Sequence, residues 1–241
     1  MINSVRQTVL SILNKNNYGY VSPSDFNLFA KQAQLDIFED YFYQYNYQIN
    51  KENARQSGTG YADIKKGYEE VIDTFGVIAP LIQTVPGTPG SNTWNMPSDY
   101  YLINKILYTD GARQNEVERV HQNKITLLNQ SMLTAPSKLY PAYTQAGSVV
   151  TAFPNTINNV GDLTCQYIRF PKDPLWTYIT LAGGEPVFNQ SAADYQDFEL
   201  PLDDEPTLIN KILQFAGMSI REIQAVQFGQ AQEALEDQQE K

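Results

Sequence analysis

The segment Ser22-Pro-Ser-Asp-Phe-Asn-Leu-Phe-Ala-Lys-Gln-Ala-Gln-Leu-Asp-Ile-Phe-Glu-Asp-Tyr41 begins with the signals of a helix start. Ser22 suits the N-cap, where its hydroxyl accepts from a backbone N–H that has no partner within the helix. Pro23 fits the first helical position, and Asp25 sets negative charge at the positive end of the helix dipole. Phe26, Phe29, Ala30, Ala33, Ile37, Phe38 and Tyr41 then share one stripe, with Lys31, Gln34, Asp36 and Asp40 mostly off it. Such a stripe has to be buried against other elements, and its neighbours are also helical. Upstream, Val5, Val9, Ile12 and Leu13 recur at helical spacing after Ser4, until Asn14, Asn16, Asn17 and Gly19 stop the pattern. Downstream, after a loop at Ala54 to Gly60, Ile64, Tyr68, Val71, Ile72 and Phe75 form the stripe of a third helix over Tyr61 to Phe75.

The stretch Phe38 to Tyr47 holds six aromatics in ten residues. Tyr41, Tyr43, Tyr45 and Tyr47 alternate as in a strand, yet they also continue the helix. In a helix, residues two apart do not share a face, so the rings would point to more than one side. Two readings stand: packing between helices, or a Tyr-rich contact between subunits made by Tyr43, Tyr45 and Tyr47.

From residue 77 the pattern changes. Pro80, Pro86, Gly87, Pro89, Gly90 and Pro97 punctuate short apolar runs, beginning with Val77 to Ile82. Strands are expected over Tyr100 to Tyr108, Asn115 to Val120, Leu139 to Gln145, Val149 to Phe153, Leu163 to Phe170, Trp176 to Leu181 and Pro186 to Asn189, with a short helix over Gln122 to Asn129. The spacing favours antiparallel pairing over a parallel sheet with crossover helices. Helix returns near Asp203, Asp204 and Glu205 with Pro206 in its first turn, carrying the stripe Leu208, Ile209, Ile212, Leu213, Ala216, Ile220 and Ile223. Residues 224 to 241 hold six Gln and few large apolar groups, chiefly Phe228 and Leu235, so this tail is expected to project or to order against a partner. The fold class is therefore α+β. An N-terminal helical bundle part spans residues 1 to 76, a central antiparallel β part 77 to 200, and a long C-terminal helix with an acidic, Gln-rich tail 201 to 241.

Charged residues make up only 18% of the chain, while 21 Gln and 19 Asn supply polarity without charge. The net charge is −10, and residues 179 to 241 carry twelve acidic groups against three basic ones. No basic stripe exists to neutralise phosphates, which argues against a nucleic-acid grip by counterion release. No apolar run approaches the roughly 20 residues of a membrane span, so a soluble protein made in the cytoplasm is expected. The single cysteine, Cys165, excludes a disulfide framework within the chain and any cysteine-rich zinc module. The single histidine, His121, leaves no histidine cluster for a metal.

Catalytic signatures are missing as well. The chain has no G-x-S-x-G elbow and no phosphate-binding glycine loop, and Gly183-Gly184 precedes Glu185 and Pro186 rather than a helix. The carboxylate pairs Glu39/Asp40, Glu69/Glu70, Asp203/Asp204 and Glu236/Asp237 fit solvent faces. No enzyme activity and no cofactor or metal are expected. One further segment, Tyr167-Ile-Arg-Phe-Pro-Lys-Asp-Pro-Leu-Trp176, runs a strand into a double-proline turn. It reads either as a rigid strand end with a stacked Trp176 or as a fixed loop, holding Arg169, Lys172, Asp173 and Trp176, presented to a neighbouring subunit.

Several of these blocks resemble a known family. Ser4-Val-Arg-Gln-Thr-Val-Leu-Ser-Ile-Leu-Asn-Lys-Asn16, Gly19-Tyr-Val-Ser-Pro-Ser-Asp-Phe-Asn27, Ala33-Gln-Leu-Asp-Ile-Phe-Glu-Asp-Tyr-Phe42, Tyr167 to Trp176 and the block from Asp197 through Glu222 are similar to virion structural proteins of crAss-like, short-tailed bacteriophages. They cover about a third of the chain, and residues 77 to 160 contribute little. The resemblance implies a ring (connector) protein of the head-to-tail junction, stacked with the portal protein and neighbouring ring or tail proteins. It further implies a cyclic homo-oligomer, commonly twelvefold, through which DNA passes without sequence-specific binding. The expected location is then the virion, after synthesis in the host cytoplasm.

Composition agrees with a ring subunit on separate grounds. A closed ring needs two different complementary patches per subunit, and amide- and Tyr-rich surfaces meet without burying many charges. Repeated acidic charge around a channel would keep passing phosphates from sticking. Expected contact residues are Tyr43, Tyr45, Tyr47, Arg169, Lys172, Trp176, Phe228 and Leu235. The alternative is a carbohydrate- or receptor-binding module of a tail appendage, with Trp94, Trp176 and the tyrosines as stacking platforms. A carboxylate-dependent wall hydrolase ranks third.

Overall fold

The computed structural model describes residues 1–13, 21–55, 64–85, 92–111 and 113–220. The expected stop after the first helix, most of the loop before Gly60, and the tail with Phe228 and Leu235 lie outside the described residues. The chain is α+β, with a mostly antiparallel sheet. It divides into two compact units: residues 1–71 with 171–241, and residues 72–170.

The first unit contains α1 (Ile2–Leu13), α2 (Pro23–Arg55) and most of α3 (Ile64–Asp73), together with a long extended return and α5 (Glu205–Ile220). α2 starts as its sequence dictates. Ser22 Oγ accepts from the Asp25 backbone N–H at 3.2 Å and donates to the Asp25 carboxylate at 2.6 Å, a reciprocal cap. The helical period holds through the aromatic stretch, so Tyr41 turns inward and Tyr43 outward. Phe26, Ala30, Ala33, Ile37 and Phe38 are buried, as are Leu208, Ile212, Leu213 and Ala216 of α5, which packs on α2 and α1.

Gln34 departs from expectation. It is 1% exposed and belongs to the buried face. Its amide donates to the Lys172 carbonyl at 2.8 Å and accepts from the Glu199 N–H at 3.1 Å. Two turns earlier on the same face, the Asn27 amide accepts from the Trp176 N–H at 2.9 Å and donates to the Trp176 carbonyl at 3.3 Å. Ala30 and Ala33 between them leave room for a backbone to lie close. An extended chain packed on a helix has no ladder to satisfy its polar groups, and these side-chain amides supply the missing partners. This is one concrete use of the amide-rich composition.

That docking explains why residues 171 to 200, expected in the central β part, fall into the same compact unit as the helices, and why the β-rich unit ends at Phe170. Within the return, β9 (Tyr178–Thr180) and β10 (Pro186–Phe188) pair as a separate two-stranded hairpin. Its turn passes through Gly184 at φ 85, a conformation glycine adopts without steric cost.

The second unit is an eight-stranded sheet. Its strands are β1 (Gly76–Pro80), β2 (Ile82–Gln83), β3 (Thr93–Asn95), β4 (Tyr100–Asp110), β5 (Arg113–Arg119), β6 (Ala142–Ala146), β7 (Val149–Phe153) and β8 (Leu163–Arg169). They are ordered β1-β8-β4-β5-β6-β7-β3-β2. The first and last strands in this order are two halves of one segment bent at Leu81, whose N–H donates to the Leu163 carbonyl at 2.9 Å. The sheet thus curls back to its own start, leaving little unprotected edge. Inside it lie Trp94, Ile106, Val150, Ile157, Leu163 and Cys165, all fully buried.

One ladder is parallel, contrary to expectation: β5 pairs with β6 through Glu118↔Ala142 and Arg119↔Tyr143. The helix α4 (Gln122–Gln130) and the loop after it make the crossover that parallel pairing demands. The sequence reading also missed β3. Its three residues, beside Pro86, Pro89 and Pro97, are too few to show a period.

Two carboxylates in the first unit titrate in opposite senses. Burial pushes Asp197 up, but bonds from the Ile2 N–H, the Met1 amine and the Phe198 N–H pull harder, leaving it below its ordinary 3.8. Burial and the neighbouring Asp203 raise Asp204 above the ordinary value, against the opposing pull of the Tyr41 hydroxyl that donates to it. A raised group favours folding once protonated, and a lowered one favours it while ionised. Acidification from neutral should therefore first raise stability as Asp204 gains its proton. Stability should then fall below about pH 3.8 as Asp197 is titrated. Asp204→Asn should flatten the mild-acid rise in a Tm-versus-pH series, and a rise unchanged by that substitution would contradict the assignment.

Candidate functional site

No constellation for bond chemistry assembles among the described residues. His121 sits exposed at the start of α4, on an open cleft of about 350 Å³ lined by Arg119, Val120, His121, Gln122, Asn123 and Gln145. The cleft has no carboxylate, hydroxyl or thiol to act with the imidazole. Cys165 is fully buried in the sheet interior, and burial pushes its thiol up to about 11, so it is a core side chain rather than a nucleophile at neutral pH. No group of three or more His, Cys, Asp or Glu among the described residues is placed to hold a metal ion. No helix among them is long and apolar enough to cross a membrane.

Of the expected contact residues, Phe228 and Leu235 lie outside the described residues, and the others differ in exposure. Tyr43 is exposed on α2, with Tyr47 one turn on along the same face and partly buried, while Tyr45, also partly buried, points elsewhere. Arg169, partly buried at the end of β8, donates to the Phe170 carbonyl at 3.1 Å. Lys172 exposes its side chain, while its backbone N–H binds the Glu199 carboxylate and its carbonyl accepts from Gln34.

Of the two readings of the double-proline turn, the structure fits the rigid strand end with a stacked Trp176: the side chain is 2% exposed and does not serve as a contact residue. Its indole N–H donates to Asn3 Oδ1 at 3.1 Å, and the Arg6 guanidinium lies 3.8 Å from the ring centroid. Tyr178 and Phe188 stack on it at 5.6 and 5.9 Å. Trp176 therefore holds its own unit together. Trp94 is buried as well, so neither tryptophan is available as a sugar-stacking platform.

Among the described residues, the most exposed large apolar side chains lie in a stretch with no helical or strand period. After α4, the loop Ser131-Met-Leu-Thr-Ala-Pro-Ser-Lys-Leu-Tyr-Pro141 presents Met132 at 100%, Leu133 at 97% and Tyr140 at 81% exposure, with Leu139 and Leu127 of α4 also outward. The strand expected from Leu139 begins only at Ala142 because this loop occupies its first residues.

The loop is built around its own hydrogen bonds. The Thr134 and Ala135 N–H groups donate to the Ser131 carbonyl, Ser137 and Tyr140 exchange backbone bonds, and Asn115 Nδ2 donates to the Lys138 carbonyl at 3.0 Å. With the polar backbone satisfied inward, the large side chains are held outward. Apolar side chains exposed together in this way mark a surface that meets something. The sequence clue is four large apolar groups between a helix end and Pro141 with no helical or strand period.

No family model and no curated protein matches the chain.

Proposed function

We propose that the chain is a non-enzymatic ring subunit of a bacteriophage virion. In this reading it joins the portal and neighbouring ring or tail proteins at the head-to-tail junction, in a cyclic assembly, most simply of twelve copies. The observation that carries the reading is the loop of Met132, Leu133, Leu139 and Tyr140, pre-organised by its own hydrogen bonds and turned to solvent. A surface that exposes such side chains in a fixed geometry loses little entropy on docking, as permanent assembly requires.

Three features support the reading. The blocks around Ser4, Ala33 and Tyr167 resemble connector proteins. The surface is low in charge, with an acidic C-terminal third suited to letting DNA pass without adhering. Side-chain amides brace the helical unit from within. On this account the tail with Phe228 and Leu235, which lies outside the described residues, anchors to a portal or to the next ring. Mass spectrometry of purified virions is the test. The chain is expected in the particle, and its absence, together with a strictly monomeric state in solution, would overturn the reading.

A further inference from the structure

The outward loop and the β9–β10 hairpin are two apolar surfaces of opposite charge. Leu127, Met132, Leu133, Leu139 and Tyr140 are each between 60% and 100% exposed, the kind of large apolar groups that form the buried centre of an interface. The only charge within Ser131–Pro141 is Lys138. The hairpin Tyr178–Phe188 turns out Tyr178, Ile179, Leu181 and Val187, each between 41% and 55% exposed. Its only charge is Glu185. Lys138 and Glu185 are both exposed.

The hairpin is also held rigid. Tyr178 stacks on the buried Trp176, the Thr177 hydroxyl donates to the Asn189 carbonyl, and the Leu181 N–H donates to the Glu185 carbonyl at 3.0 Å. Two-stranded hairpins are marginal by themselves, and this one presents both a side-chain face and free strand edges.

We propose that the Ser131–Pro141 loop of one copy docks on the Tyr178–Phe188 hairpin of the next, with Lys138 of one facing Glu185 of the other. The contact is heterologous, since a surface meets a different surface, the class of contact from which a ring is built when its rotation closes. The apolar side chains supply the affinity, and the single ion pair at the rim fixes the orientation. This rests on reading the chain as a ring subunit, and it names the faces that join the copies.

Mixing full-length Leu133→Cys and Val187→Cys chains and treating them with a short bismaleimide tests it. Cys165 can stay, because it is buried; the unsubstituted chain is the control. A cross-linked dimer should form in the mixture and in neither variant alone. Adding Met132→Asp to the Leu133→Cys chain should lower its yield at least about tenfold without changing the circular dichroism, since Met132 is fully exposed. Cross-linking of Leu133→Cys alone would mean that loop meets loop and would overturn the proposal. So would no cross-linking in the mixture. The native mass of that same sample then separates two failures: multimers would leave the ring reading standing on other surfaces, and monomers would count against both.

Discussion

Trp176→Ala is expected to lower the unfolding free energy by about 3–5 kcal/mol, the range for removing a large buried aromatic. The ring lies between Arg6 on one element and Tyr178 and Phe188 on others, and its N–H holds Asn3 of α1. Truncation opens a cavity and at the same time removes the partner of Asn3 Oδ1 and the surface under the Arg6 guanidinium. Trp176→Phe keeps most of the volume and loses the indole hydrogen bond, so it should cost about 1–2 kcal/mol. Urea unfolding followed by circular dichroism measures both. A contact role for Trp176 would instead leave the alanine variant as stable as the parent and defective only in assembly.

The second large effect is expected at Gln34. Gln34→Leu removes the partners of the Lys172 carbonyl and the Glu199 N–H in a site that admits almost no solvent. Each backbone group left unsatisfied there costs about 1–3 kcal/mol, so a total of ~2–6 kcal/mol is expected. Asn27→Leu, at a less buried position, should cost ~1–2 kcal/mol. The double variant should cost less than the sum, because both amides secure the same return segment and the first loss already loosens it. Hydrogen exchange at the Trp176 and Glu199 amides is the direct readout. Faster exchange at both in the double variant is expected, and unchanged protection would show that the segment is held by packing alone.

The elements legible in the sequence were those whose stability is local or periodic. The Ser22 cap, the Pro23 start and the stripe from Phe26 to Tyr41 define α2 without reference to anything distant. Strands β4, β7 and β8 are marked by apolar residues between turn residues.

What stayed hidden depends on partners far away in the chain. Gln34 reads as a solvent-facing amide until the backbone at Lys172 and Glu199, more than 130 residues on, is laid across it. The return of residues 171 to 200 to the helices could not be seen in a run of short strands. The parallel β5–β6 pairing needs knowledge of where the α4 crossover lands.

The same limit applied to function. The sequence leaves Trp176 open between a stacked ring at a rigid strand end and a contact for a neighbouring subunit, because the neighbours that decide it, Asn3 and Arg6, lie near the N-terminus. The loop with Met132 and Leu133 was inconspicuous because its exposure comes from hydrogen bonds that turn the backbone inward, which no period records.

Quantitative mass spectrometry of purified particles, with the portal protein as internal standard, tests the central claim most directly. The account predicts this chain in every intact particle at about one copy per portal subunit, as successive rings on one axis require. A chain missing from the particle, and monomeric when purified alone, would contradict it.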